Sequence, residues 1–234
     1  MQPAPATVYL VGAGPGDPSL ITRWGAECLG RAELVLYDYL ANPALLDHAP
    51  QAAERVCLGH HRTGRTMTQD EVHSRMIETA RAGRVVVRLK GGDPTIFART
   101  ADELTALRAA GVPYQIIPGI TAGLATHAGG GSAVALVTGH QRPGKSGAPL
   151  DYGALADLPG PLIFYMGVTS APIWSQALID RGLSPDTHVT VVRRSTHPNE
   201  QVRRYRLGEV GRAARRGQIR PPAVIVVERP GRGG

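Results

Sequence analysis

Glycine-bearing turns stand directly after short apolar runs at several points in the chain, and they are the residues most suited to holding a ligand. The first is Gly12-Ala13-Gly14-Pro15-Gly16-Asp17-Pro18, after the run 8–11. Glycine lets a backbone approach a ligand where a side chain would block it. A dinucleotide fingerprint needs G-x-G-x-x-G, but position 17 is Asp and Pro15 lacks an amide for a phosphate. The reading left is a close-approach loop for an uncharged or cationic ligand, with a plain tight turn as the alternative. A second turn, Lys90-Gly91-Gly92-Asp93-Pro94, ends the run 85–89. Lys90 and Asp93 are costly to bury unpaired, so this end of the run is expected to face a site or solvent. Pro118-Gly119-Ile120-Thr121-Ala122-Gly123 and Tyr165-Met166-Gly167 complete the set, with Met166 able to supply an adaptable apolar wall. Together these turns imply a pocket lined by backbone.

Gly139-His140-Gln141-Arg142-Pro143-Gly144-Lys145-Ser146 matches the P-loop pattern G-x-x-x-x-G-K-[ST]. A P-loop works through the amides and dipole of the helix that follows, and Gly147 and Pro149 prevent a helix from starting there. The run 34–38 that could supply a magnesium-binding Asp precedes the loop. Nucleotide triphosphate binding is therefore not expected.

Such turns need a sheet to carry them. Strands are expected at 8–11, 34–37, 85–89 and 114–117, with helices at 19–31, 67–82 and 101–110 between them. That alternation argues for a mostly parallel sheet covered by helices. The second half differs: strands at 134–138, 162–165, 189–192, 202–207 and 224–227, with helices at 172–181 and 210–217. The close spacing of 189–192 and 202–207 points to a hairpin and a mixed sheet. The fold class is therefore α/β in two domains, 1–117 and 118–234, meeting around 118–122 with a cleft between them.

Composition bounds the rest. The 234 residues are 42% apolar and 19% charged, and the 29 glycines and 19 prolines have no period, which excludes collagen-like and disordered classes. Two cysteines, Cys28 and Cys57, show no ligand spacing, so no metal is expected. With no signal-peptide pattern and no span of roughly 20 apolar residues, the expected location is the cytoplasm. The net charge is +7, and all but two of the 26 basic residues, Lys90 and Lys145, are arginines. Arginine suits carboxylates and phosphates, so either an anionic partner or genomic base composition accounts for the bias. Residues 1–117 hold 12 basic and 12 acidic residues, and 118–234 hold 14 and 7, so the excess belongs to the second half.

The motifs VYLVGAGPGDP at 8–18, Tyr37-Asp38, RLKGGDP at 88–94, PGITA at 118–122, VTGH at 137–140, YMG at 165–167 and Pro221-Pro222-Ala223 occur in one order from about residue 8 to 228. In this the chain resembles the tetrapyrrole methyltransferases. The resemblance implies the tetrapyrrole methylase fold (class III methyltransferases): a homodimer whose protomers each bind S-adenosylmethionine between two α/β domains. It implies cofactor contacts at Pro15, Gly91, Gly92, Asp93, Ile96, Thr121, Ala122, Met166 and Ala223, and at Ser195, where relatives carry a glycine. It also implies a proton acceptor at Asp38. The implied reaction is C-methylation of uroporphyrinogen III, a small-molecule tetrapyrrole, on the path to sirohaem and cobalamin. S-adenosylhomocysteine is the product, and no metal, nucleic acid or membrane takes part. Precorrin methylation, RNA or protein methylation on the same scaffold, and a catalytically impaired cofactor-binding relative are the alternatives. Base stacking would use aromatics interleaved with the basic residues, and none are seen.

Three departures from the family pattern bear on the site. His60 stands where the family's second proton-transfer residue is a lysine. It can exchange a proton near neutral pH, with a surface histidine pair as the other reading. The segment 127–132 is shorter than in relatives and lacks an arginine suited to substrate carboxylates. Phe97-Ala98-Arg99-Thr100-Ala101-Asp102-Glu103 keeps Arg99 and Glu103 but loses three glycines.

Overall fold

The computed structural model describes residues 7–59, 66–126, 132–140 and 149–228. The chain divides into two compact units, Met1–Thr121 and Ala122–Gly234. The Pro118–Thr121 turn thus goes with the first unit, where a break after residue 117 was expected.

The first unit is built on five parallel strands: β1 (Val8–Gly12), β2 (Leu34–Tyr37), β3 (Glu54–Cys57), β4 (Val86–Lys90) and β5 (Tyr114–Ile117), in the order β3-β2-β4-β1-β5. Parallel strands need crossovers, and helices supply most of them: α1 (Arg23–Leu29), α2 (Gln69–Arg81) and α3 (Thr100–Ala109). Strand alternation then sorts the core into two layers. Val11, Val35, Val87 and Leu89 pack with Cys28 and Leu29 of α1. Leu10, Leu34, Leu36 and Val86 pack with Val72 and Met76 of α2 and Leu107 of α3.

Local chemistry sets the helix ends. Residues 19–31 do not form one helix. Pro18–Leu20 is a 3-10 turn, Ile21 is extended, and α1 begins only where the Thr22 hydroxyl accepts from Gly25 N at 3.1 Å. α2 opens on a reciprocal capping box, with Thr68 Oγ1 accepting from Glu71 N at 3.2 Å and the Glu71 carboxylate accepting from Thr68 N at 2.8 Å. β3 was missed by periodicity because it is a four-residue edge strand alternating half-buried and exposed residues, two of them the charged Glu54 and Arg55.

In the second unit a mixed sheet has the order β6-β7-β10-β8-β9, made of β6 (Ala135–Thr138), β7 (Leu162–Tyr165), β8 (His188–Arg193), β9 (Gln201–Arg206) and β10 (Ala223–Val227). β6 and β7 are parallel; β10 runs antiparallel to β7 and β8, and β8 and β9 form the expected hairpin. One face carries α5 (Tyr152–Asp157), α6 (Ala171–Asp180) and α7 (Leu207–Arg215) over Phe164, Val189, Val191 and Ile225. Here Trp174 stacks on Phe164 with ring centres 4.1 Å apart, and its indole N–H donates to Gly167 O at 2.8 Å. On the other face α4 (Ala122–Thr126) packs on β7 and β10. α4 and α5 are too short to show helical periodicity. α7 begins at Leu207, earlier than expected, because β9 runs straight into it and Glu209 accepts from Arg206 N at 2.8 Å.

No described helix is long and apolar enough to cross a membrane, and no group of metal-ligating side chains occurs among the described residues.

Candidate functional site

In the first unit the strand-end glycines interlock. Gly14 and Gly92 exchange backbone hydrogen bonds, Gly14 N to Gly92 O at 3.2 Å and Gly92 N to Gly14 O at 2.8 Å. A Cβ on Gly12 would lie 2.5 Å from Gly119 Cα and 2.7 Å from Gly92 O. The close approach expected of a ligand at Gly12 is thus made by neighbouring backbone. Asp93 locks the same junction: Oδ1 accepts from Thr95 N at 2.6 Å, and Oδ2 accepts from Gly119 N at 3.0 Å. Gly119→Ala is expected to destabilise the protein by about 1–3 kcal/mol, since its Cβ would press on Gly12 Cα from 2.7 Å and backbone would have to move. Urea unfolding measures this, and a loss below half that range would mean the junction yields freely.

Strand parity explains the charged centre of the site. Leu34 and Leu36 face α2 and α3, so Asp38, two residues on, takes the same side. On β4, Val86 has that parity and so do Arg88 and Lys90. Glu103 of α3 lies over them and is 1% exposed. One ion-paired chain results. Arg88 Nη2 donates to Asp38 Oδ1 at 2.6 Å, Arg88 Nε donates to Glu103 Oε1 at 2.9 Å, and Lys90 Nζ donates to Glu103 Oε2 at 2.5 Å. Two cations meet two carboxylates, so the net charge of the cluster is zero. Only Asp38 reaches solvent, its side chain 32% exposed against 5% for Arg88.

This corrects the expectation for Lys90, which faces neither an open site nor solvent. It is 2% exposed, and Glu103 is its counter-ion. Burial, followed by the neighbouring Arg88 charge, holds its pKa below the ordinary 10.5. Between that lowered value and 10.5 the unfolded chain binds more protons than the folded one, so this group's contribution to stability rises with pH across that window. The stability of the protein relative to Lys90→Met is accordingly expected to increase as pH climbs toward 10.5, followed by denaturant unfolding. A flat difference would refute the shift.

Sequence reasoning placed Asp38 and noted that Glu103 was kept, but it missed Arg88 as the link between them. The signal was present: Arg88 and Lys90 are two apart in an apolar strand, which puts two cations on one covered face and demands a carboxylate there. Arg99, also kept, is exposed and sits at the start of α3 in the left-handed region, φ 52°. Cys28 is buried, and its thiol pKa is pushed up to about 11.

The remaining first-unit residues lie at the same strand ends. Pro15 follows β1, Gly91 and Gly92 follow β4 with Ile96 close behind, and Thr121, 6% exposed, follows β5.

In the second unit the selected residues also share one edge. β10 opposes β7 and β8, pairing Val224 with Tyr165 and Ala223 with Arg193, so the start of β10 lies beside the ends of its neighbours. That edge gathers Ala223, Met166 after β7 and Ser195 after β8. Ala122 joins them through α4, because Gly123 N donates to the Tyr165 hydroxyl at 2.8 Å. Met166 is in the left-handed region, φ 51°, with half of its surface exposed. Ser195 is buried between Arg194 and Thr196, themselves left-handed, and its Oγ has no hydrogen-bond partner among the described residues. Serine fits without strain where relatives carry glycine, because its own φ is not positive.

His60, residues 127–131 of the short segment and residues 141–146 of the P-loop-like stretch lie outside the described residues. Asp151 caps α5 by accepting from Gly153 N at 2.9 Å and Ala154 N at 3.0 Å.

The two α/β units match the two α/β domains that the motif resemblance implied. The chain belongs to the tetrapyrrole (corrin/porphyrin) methylases, whose family model matches residues 7–211. Among its relatives, an S-adenosyl-L-methionine-dependent uroporphyrinogen III methyltransferase of Methanosarcina barkeri is 36% identical over 229 residues, covering 94% of this chain and 90% of that protein. A siroheme synthase of Hydrogenovibrio crunogenus is 39% identical over 94% of this chain and 48% of its own length. The chain thus spans about half the length of the siroheme synthases it matches. A crystal structure of uroporphyrin-III C-methyl transferase from Thermus thermophilus, complexed with S-adenyl homocysteine, superposes with TM-score 0.78 at 36% identity, covering 94% of this chain and 96% of that one.

Proposed function

We propose that the protein methylates uroporphyrinogen III at carbon, using S-adenosylmethionine as the methyl donor. The observation that carries this reading is the 36% identity to the Methanosarcina barkeri enzyme, which runs through nearly the full length of both chains. The site chemistry supports it. The cofactor contacts that the family resemblance implies are Pro15, Gly91, Gly92, Asp93, Ile96 and Thr121 in the first unit, and Ala122, Met166, Ser195 and Ala223 in the second. Ser195 Oγ, a buried polar atom without a partner among the described residues, suits a polar group of that ligand. When bound, S-adenosylmethionine supplies an electrophilic methyl group to an electron-rich pyrrole carbon.

Methylation leaves a cationic ring that must lose a proton, and Asp38 accepts it. Its partner Arg88, pinned by Glu103, holds the carboxylate in place while the acid itself stays in reach of solvent. The chain's other task is alignment of two reactants, which rigid strand ends serve better than mobile loops. A cytoplasmic homodimer, as the family resemblance implies, is the proposed working form; sedimentation equilibrium tests the dimer.

The test of function is incubation of the purified protein with S-adenosylmethionine and enzymatically made uroporphyrinogen III, with products read by mass. Methylated tetrapyrrole with matching S-adenosylhomocysteine is the expected result. No methylated product would overturn the proposal, and a methylated product only from a later corrin precursor would move the substrate within the family.

A further inference from the structure

The second unit holds a recess lined by none of the residues assigned to the cofactor or to proton transfer. β8 and β9 pair Arg193 with Gln201 and Val191 with Arg203. Val191 lies in the core under α6 and α7, so Arg193, Gln201 and Arg203 share that face by parity. Beyond the end of α7 the turn carrying Gly217, Gln218 and Arg220 closes over them, leaving a recess of about 380 Å³. Three of its six lining residues are arginines, and none is acidic.

Three guanidinium groups around one recess repel each other unless an anion joins them. Two are already fixed in place. Arg203 Nη1 donates to Gln218 O at 3.1 Å, and Arg220 Nε donates to Gly217 O at 2.9 Å. Each such bond uses one of five donors, so most of the fork is left for another acceptor. The third is conspicuous for a missing bond: Arg193 Nε is buried and has no acceptor among the described residues. Buried donors are nearly always satisfied, so an unpaired one beside a cationic recess calls for an acceptor from outside. Nor does any of the three form an ion pair among the described residues.

We propose that this recess binds an oxyanion, with Arg193, Arg203 and Arg220 as its ligands and Gln201 and Gln218 as neutral hydrogen-bonding walls. Planar guanidinium forks match the oxygen spacing of carboxylate and phosphate groups, and charge-assisted bonds of this kind are the strong ones. The volume suits a small polyanion better than a single ion. The site does not depend on the methyl-transfer reading, since none of its residues belongs to the proposed catalytic or cofactor set.

The test titrates the full chain with pyrophosphate and, separately, with citrate, by calorimetry at near-physiological ionic strength. Saturable binding of at least one at one equivalent is expected, and the tighter of the two identifies phosphate or carboxylate as the preferred source. Arg193→Gln and Arg220→Gln should each weaken it at least tenfold. Arg215→Gln, which removes an equal charge from α7 outside the recess, should change it less than twofold. Absence of saturable binding by both anions would overturn the proposal. Equal weakening by Arg215→Gln would do the same, because it would reduce the recess to a diffuse basic surface. Should Arg193→Gln fail to fold, the comparison of Arg220→Gln with Arg215→Gln decides the question alone.

Discussion

Arg88→Met is expected to lower the unfolding free energy by about 3–5 kcal/mol, more than any other single change argued here. The reason is position rather than the count of its bonds. Glu103, 1% exposed, would keep Lys90 alone, and Asp38 would lose its only ion-pair partner among the described residues. Methionine fills much of the same space, so packing loss would be small and the cost would be electrostatic. The double variant Arg88→Met/Glu103→Gln should recover part of it, because the uncompensated buried carboxylate is then gone. A coupling of at least about 1 kcal/mol in that cycle is expected. Arg88→Lys should not rescue the protein: one ammonium replaces a rigid fork that reaches Glu103 through Nε and Asp38 through Nη2. Denaturant midpoints for the variants check all of this, and strictly additive losses would mean that the four charges do not act as one unit.

Asp38→Asn carries the largest expected effect on activity. On the proposed mechanism its carboxylate takes a proton that an amide cannot, and general-base contributions of this kind are worth about 100- to 10,000-fold in rate. The amide oxygen can still accept from Arg88, and the side chain is one-third exposed, so stability should fall far less than in Arg88→Met. The expected signature is a collapse in kcat with a nearly unchanged KM and an almost unchanged melting curve. A fall smaller than tenfold would take Asp38 out of the proton-transfer step. Parallel loss of kcat and stability would instead assign it a structural part in the ion-paired chain.

These two residues mark what was and was not legible. The chemistry of Asp38 was implied through the order of motifs, because strand-end signatures are contiguous in sequence. Arg88 was visible as a letter in RLKGGDP, yet its partner Glu103 is 15 residues away and reaches it only because α3 crosses that face of the sheet. Lys90 was misread for the same reason: a charge at a strand end looks exposed until the helix above it is known to bring a carboxylate. Gly12 and Gly119 were read as space for a ligand, whereas each makes room for the other's backbone and for the carbonyl of Gly92.

By itself, then, the sequence determined the alternation of strands and helices, the change from parallel to mixed sheet in the second half, and the motif order that carries the family. All of these are local, written in the period of apolar residues and in runs of a few adjacent positions. Only the tertiary structure decided which charges are buried and how they pair, which glycines touch one another, and that three arginines of the basic second half gather around one recess. Those are properties of parity and crossing, set when strands and helices come side by side, and the period of apolar residues does not encode them.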